Sequence, residues 1–302
     1  MLNDVVFAGR PDVQLRVYGH YGVECELAFL RVMSNVRNFA ADSLMRATHV
    51  EAIAELRLLD SLKVGIYELE SFEFLHDVDP ALISLFLGRT RSAKPGLEPL
   101  ERFRSLKTVY IEGHSRGLAV LSTLKGLEDV TLRSVTTQDL SYLIPLTNMW
   151  SLDLKLGGIK SIDAISGMDG IKYLELWRIR GLSDITVISD LPGLQFLFLQ
   201  SLAHVIALPD LQLLRRLRRV VLETMKGIRD LRALESSPSL EEFAYFDARG
   251  KEPTLLLPAL RNPAVRRVTA GFGSKKKNDE FARLRDEWGK APLDGLPKFE
   301  FQ

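Results

Sequence analysis

The chain has 302 residues, a formal net charge of +1 and a single cysteine, Cys25. So even a balance gives no global attraction to nucleic acid or to an anionic membrane, and one cysteine excludes an intramolecular disulfide framework. No stretch approaches the roughly 18 uninterrupted apolar residues of a membrane span. The start MLNDVVFAGR lacks the basic segment and apolar run of a secretory signal, so the sequence predicts a cytoplasmic protein.

In chain order, Val13, Leu15 and Val17 alternate with polar residues, as do Val23, Cys25 and Leu27, with Gly19 and Gly22 between the two runs. That pattern predicts a hairpin over residues 1–35, serving as an N-terminal cap. From residue 36 a single motif takes over, an apolar residue followed by further apolar residues three and five places on. Its first positions are Val36, Leu59, Leu82, Leu106, Leu127, Met149, Ile171, Leu194, Leu217, Leu240 and Val265, spaced by 21 to 25 residues. The clearest copies are Ile171-x-x-Leu174-x-Leu176 and Leu194-x-x-Leu197-x-Leu199. The last two apolar residues of each copy have the two-residue period of a strand. The apolar residues before them, Ile159, Ile162, Ile165 and Met168 in one copy, recur every third place, as 3₁₀ turns require. One such unit cannot bury its apolar side alone, whereas a stack of about eleven, over residues 36–271, can. Beyond residue 271, Asn278 reads as a helix N-cap, Phe281, Leu284 and Trp288 share one face, and Gly289 and Pro292 end the run. Residues 272–302 are therefore expected to form a C-terminal capping helix and a tail carrying Phe299 and Phe301.

This repeat resembles the leucine-rich repeat family, in its short-repeat subclass typified by internalins and phosphatase-regulator proteins. The resemblance implies an α/β repeat solenoid, a horseshoe with a parallel sheet on its concave side and short turns or 3₁₀ segments on its convex side. One departure stands out. Many family members carry asparagine eight residues after the first leucine, where it bonds the turning backbone. Here those places hold His114, Val135, Gly157, Ile179, Leu202 and Met225, so the turns must satisfy their backbone groups by other means.

Chemistry-bearing constellations are sparse. His20, His49, His76, His114 and His204 are scattered, without metal-ligand spacing, and read as isolated surface or turn residues. The glycines from Gly113 to Gly117 lack the Lys-Ser/Thr of a phosphate loop. Cys25 alternates with Val23 and Leu27 and reads as a buried cap residue. The sequence therefore predicts no enzyme, no metal and no cofactor. Residues 201–302 carry 19 Lys+Arg against 14 Asp+Glu, with Arg215, Arg216, Arg218, Arg219, Arg266 and Arg267 prominent. An anionic-surface or nucleic-acid reading of this half is an alternative, but the near-neutral whole argues against nucleic acid.

Projecting the repeat gives the outward face. Residues two, four and six after each first position point away from the turns. Tyr173, Trp177, Phe196 and Phe198 should then form one exposed aromatic cluster, flanked by Asp153, Lys155 and Glu175, with Phe246 further along. Four rings on two adjacent strands mark a site for a protein partner. The expected function is a non-catalytic protein-interaction module, and an immunity or antitoxin-like inhibitor is a narrower alternative that the family resemblance allows.

Overall fold

The computed structural model describes residues 2–19, 22–293, 295–296 and 298–302; His20 lies outside them. The chain divides into two compact units, Met1–Thr136 with Pro145–Met149, and Thr137–Ile144 with Trp150–Gln302.

The first unit contains β1 (Gln14–Val17), β2 (Glu24–Glu26), β3 (Asn38–Leu44), β4 (Arg46–Thr48), β5 (Ser61–Ile66), β6 (Ser84–Leu87), β7 (Thr108–Glu112) and β8 (Asp129–Arg133). β1, β3, β5, β6, β7 and β8 form one parallel ladder, along which Leu15, Phe39, Leu62, Leu85, Val109 and Val130 fall in register. The expected hairpin does not form. β1 pairs in parallel with β3, and β2 in parallel with β4. Alternation specifies a strand and its two faces but not its partner, and here both strands pair with residues about one repeat downstream. The ladder therefore begins at Gln14, upstream of residue 36. Cys25, on β2, is half-buried, not buried.

The second unit holds β9 (Ser151–Lys155), β10 (Tyr173–Trp177), β11 (Phe196–Gln200), β12 (Arg219–Glu223), β13 (Glu242–Phe246) and β14 (Arg267–Ala270). Its parallel register runs Leu152, Leu174, Leu197, Val220, Phe243 and Val268, the second apolar places of successive motifs. These side chains are all fully buried, and each contributes on the order of 1.5–3 kcal/mol by leaving water. The threefold apolar spacing forms short 3₁₀ turns at Asp163–Ile165, Thr186–Asp190 and Arg232–Leu234. A side-chain oxygen two residues upstream opens each turn: Ser161 accepts from the Asp163 N–H, Asp184 from Thr186 and Asp230 from Arg232, at 2.9–3.0 Å. Such Asx and Ser turns fix the chain's entry locally.

The missing asparagines are replaced by backbone. The residue after each strand of β9–β13 takes a left-handed conformation without being glycine: Leu156, Arg178, Ser201, Thr224 and Asp247, with φ between 49° and 57°. This aims the Leu156, Arg178, Ser201 and Thr224 N–H groups at the last carbonyl of the next strand, Trp177, Gln200, Glu223 and Phe246, at 2.8–3.0 Å. The next place is then free to be apolar, and His114, Val135, Ile179, Leu202 and Met225 are all buried. His114 is thus a core residue of the first unit, not a surface histidine.

Two helices close the second unit, α1 (Leu257–Arg261) and α2 (Lys275–Glu287). α2 starts at Lys275, ahead of the expected Asn278 cap. Asn278 lies within the helix, and its Oδ1 accepts the Phe272 N–H at 2.8 Å. Of the predicted face, Phe281 is buried against Phe272 with ring centroids 5.6 Å apart, whereas Trp288 is exposed.

Candidate functional site

In the second unit, the sheet face opposite the 3₁₀ turns carries every residue expected to form a site, and parallel register decides which ones meet. Asp153, Glu175, Phe198 and Val221 follow one another across β9 to β12. Lys155, Trp177, Gln200, Glu223 and Phe246 do the same nearer the strand ends. Ser151, Tyr173, Phe196, Arg219, Glu242 and Arg267 line the strand starts.

The charged centre is knitted together. Lys155 Nζ lies 3.0 Å from Glu175 Oε2 and 3.6 Å from Asp153 Oδ2, and the Tyr173 hydroxyl donates to the same Glu175 oxygen at 2.8 Å. Burial pulls the Lys155 ammonium down in pKa, but Asp153 and Glu175 outweigh it and leave the group raised. Glu175 is only 8% exposed; the sequence projected it as an open flank, but Lys155 and Tyr173 cover it. Further along, the Arg219 Nε donates to Glu242 Oε2 at 2.5 Å, and Arg267 bonds the other oxygen of that carboxylate. Arg219 and Glu242 are both buried, so Arg219 is a fixed structural ion and not part of a free basic surface.

The four expected rings do not make one compact group. Tyr173 and Phe196 meet edge to face, centroids 5.1 Å apart, at the strand starts. Trp177 stands four residues along β10 from Tyr173, about 13 Å at strand rise. It walls a hollow of ≈300 Å³ with Arg178, Ser201, Ala203, Thr224 and Lys226. Phe198 sits half-buried on the central row, and Phe246 lies three strands from Trp177, about 14 Å away.

The Tyr173–Phe196 pair is roofed by the chain's own tail. Phe301 packs on Trp150 and Tyr173 (5.2 and 6.2 Å between centroids), and Phe299 on Phe196 (5.3 Å). The Arg218 and Arg219 guanidiniums sit 4.6 and 5.0 Å from the Phe299 centroid. Sequence reasoning left the tail's docking place open and passed over Trp150 and Gln195. The available signal was the place one after each first apolar residue, which reads Trp150, Lys172, Gln195, Arg218, Glu241 and Arg266.

A second feature was also missed. In the first unit Gly65 and Gly88 occupy the place six after two successive first positions, and a Cβ on Gly88 would lie 3.0 Å from the Gly65 Cα. Both glycines line a hollow of ≈730 Å³, together with Phe86, Tyr67, Arg89, Asp42 and Glu112. Phe86 is stacked on Tyr110 at 4.2 Å beside it.

No family model and no curated protein matches the chain. Solved structures do. It is similar to an internalin, InlF, from Listeria monocytogenes, with 16% identity over 90% of this chain and 76% of that one and a TM-score of 0.60. It is also similar to internalin C2 of the same organism, at 16% identity over 62% and 80% of the two chains and a TM-score of 0.52. The chain has the leucine-rich repeat fold. A third leucine-rich repeat match is the mouse RP105/MD-1 complex, at 17% identity and a TM-score of 0.59; 93% of this chain aligns with 54% of that one. These matches overturn the cytoplasmic expectation, because internalins and RP105/MD-1 are secreted or extracellular surface proteins.

Among the described residues, no group of three or more His, Cys, Asp or Glu is placed to hold a metal ion, and no helix is long and apolar enough to cross a membrane.

Proposed function

We propose that this leucine-rich repeat protein is a non-catalytic binding module, and that the open sheet face of its second unit takes up a protein partner. One observation carries the reading. Half-exposed Trp177 and Phe198 flank a charged centre in which Lys155 bridges the Asp153 and Glu175 carboxylates, leaving one net negative charge. On a surface of that kind each ion already has a partner, and large flat rings on a rigid sheet supply anchoring area at little entropic cost. One of the similar structures is itself a protein complex, RP105 with MD-1, which fits a fold used for protein contacts.

The test is partner binding by Trp177→Ala and Phe198→Ala variants. Both rings point away from the core, so melting should hold while affinity falls by about 2 kcal/mol or more for Trp177→Ala. Arg215→Gln with Arg216→Gln is the comparison, since those side chains line a separate hollow and not the one that Trp177 walls. A partner indifferent to Trp177 and Phe198 but lost with the arginines would sink the proposal in favour of an anionic ligand. Arg219 and Arg267 are unsuitable controls, because both clamp the buried Glu242 carboxylate.

A further inference from the structure

The tail contacts define a groove. Residues 298–302 lie across the starts of β9 to β12, and most of their polar bonds are made by main chain. The Gln195 side-chain amide bonds both backbone groups of Gln302: its Nε2 donates to the main-chain oxygen at 2.7 Å, and its Oε1 accepts the N–H at 3.0 Å. The Arg218 guanidinium donates to the Glu300 carbonyl and to Gln195 Oε1 (3.2 Å for the latter), tying the two clamps together. The remaining recognition is aromatic, two rings two residues apart seated on Trp150, Tyr173 and Phe196. Clamps on backbone with pockets for alternate side chains are how proteins read extended peptides whose sequence is otherwise free.

The resident segment lies at the surface. Phe299 and Phe301 remain half-exposed, and Lys298, Glu300 and Gln302 are exposed. Beside Gln302 the groove opens into a hollow of ≈570 Å³ lined by Arg215, Arg216, Arg218, Arg266, Gln195 and Glu241, among others. Among the described residues the Arg215, Arg216 and Arg266 side chains make no ion pair, and Glu241 is the one acidic residue lining the hollow. Four guanidiniums against one acidic side chain, three of those guanidiniums without an ion pair or hydrogen bond to the tail, favour carboxylates on the occupant.

We infer that this rim is a binding groove for an extended, acidic segment of a protein partner with aromatic residues two apart, and that residues 298–302 are a resident occupant that such a segment displaces. The inference rests on the partner-binding reading above and adds a second contact to it. A tethered occupant acts at millimolar effective concentration, so the groove is closed to weak competitors and open to a segment that also fills the arginine hollow.

The probe is a fluorescein-labelled peptide, KFEFEE, with KSESEE as its control, titrated into full-length protein by anisotropy. In a Phe299→Ser/Phe301→Ser variant the tail loses its rings, and KFEFEE should bind roughly 10-fold or more tighter than to wild type. Adding Trp150→Ala or Arg218→Gln to that variant should abolish the binding, and KSESEE should not bind. Equal binding to wild type and to the double variant, or no binding to a folded double variant, overturns the groove. If the double variant does not fold, the readout moves to wild type: saturating KFEFEE should accelerate hydrogen exchange at the Gln302 amide, and unchanged exchange overturns the inference. Failure here with Trp177→Ala still abolishing partner binding removes only the groove; partner binding insensitive to Trp177 removes the open-face reading independently of the peptide.

Discussion

His114 shows how one side chain ties a repeat to pH. It is fully buried, edge-on to Phe72 at 4.9 Å, with Nε2 3.0 Å from the Gly88 carbonyl oxygen. Burial pushes its pKa below 6.5, and the Gly88 carbonyl and Glu112 offset this only in part. The unfolded chain therefore takes up a proton near pH 6.5, while the folded chain takes it up only at lower pH. Between those points the unfolded state binds more protons, so stability is complete above pH 6.5 and falls on acidification, by at most about 1.4 kcal/mol per pH unit. Urea unfolding at pH 7 and pH 5 should show this slope in wild type and a flatter one in His114→Gln; identical slopes would remove His114 as the cause. The sequence marked the residue's place in the repeat but not its burial. At that place the family usually carries a polar group serving the turn, and a histidine there reads as a surface substitute until the backbone is seen to serve the turn instead.

At the scale of the element, what could be read in advance follows from periodicity. A motif with apolar residues at fixed places specifies which side chains face the turns, so Leu174 and Leu197 were expected in the core and are fully buried. Leu174→Ala or Leu197→Ala should each cost about 2–5 kcal/mol in denaturant unfolding, because the neighbouring repeats hold the cavity open; losses below about 0.5 kcal/mol at both would be incompatible with that packing. Pairing is less legible. β1 and β2 have the alternation of a hairpin and a glycine-flanked connection, but their partners are β3 and β4, a choice set by stacking of whole repeats. The four rings were legible as residues and not as a group. Register places Tyr173 beside Phe196, but separation along β10 parts Trp177 from them, and the roof of Phe299 and Phe301 comes from a segment about a hundred residues away in sequence. No local pattern announces such a contact; only the unusual Trp150, Gln195 and Arg218 at one repeat place hint at it.

For the molecule as a whole, the ladder restricts how its length can change. Each turn N–H after β9 to β12 reaches the last carbonyl of the next strand, and each strand start bonds the one before it, as when Tyr173 donates to the Trp150 carbonyl and Phe196 to that of Lys172. These bonds are indifferent to side chain, so successive repeats are interchangeable at their edges. Excising Leu194–Arg216, one full period, brings Leu217 to the place of Leu194 and should leave a folded protein with a shorter ladder and a lower melting temperature. Deleting Gln195 alone shifts β11 by one residue, turns Leu197 and Leu199 toward solvent, and should abolish cooperative unfolding. If the single deletion were the better tolerated of the two, the stacked-period account would be wrong. Gain and loss within the strands of such a chain are therefore quantised: a strand keeps its faces only when whole words of 21 to 25 residues come or go, whereas the spread of word lengths shows that an odd letter is absorbed between strands.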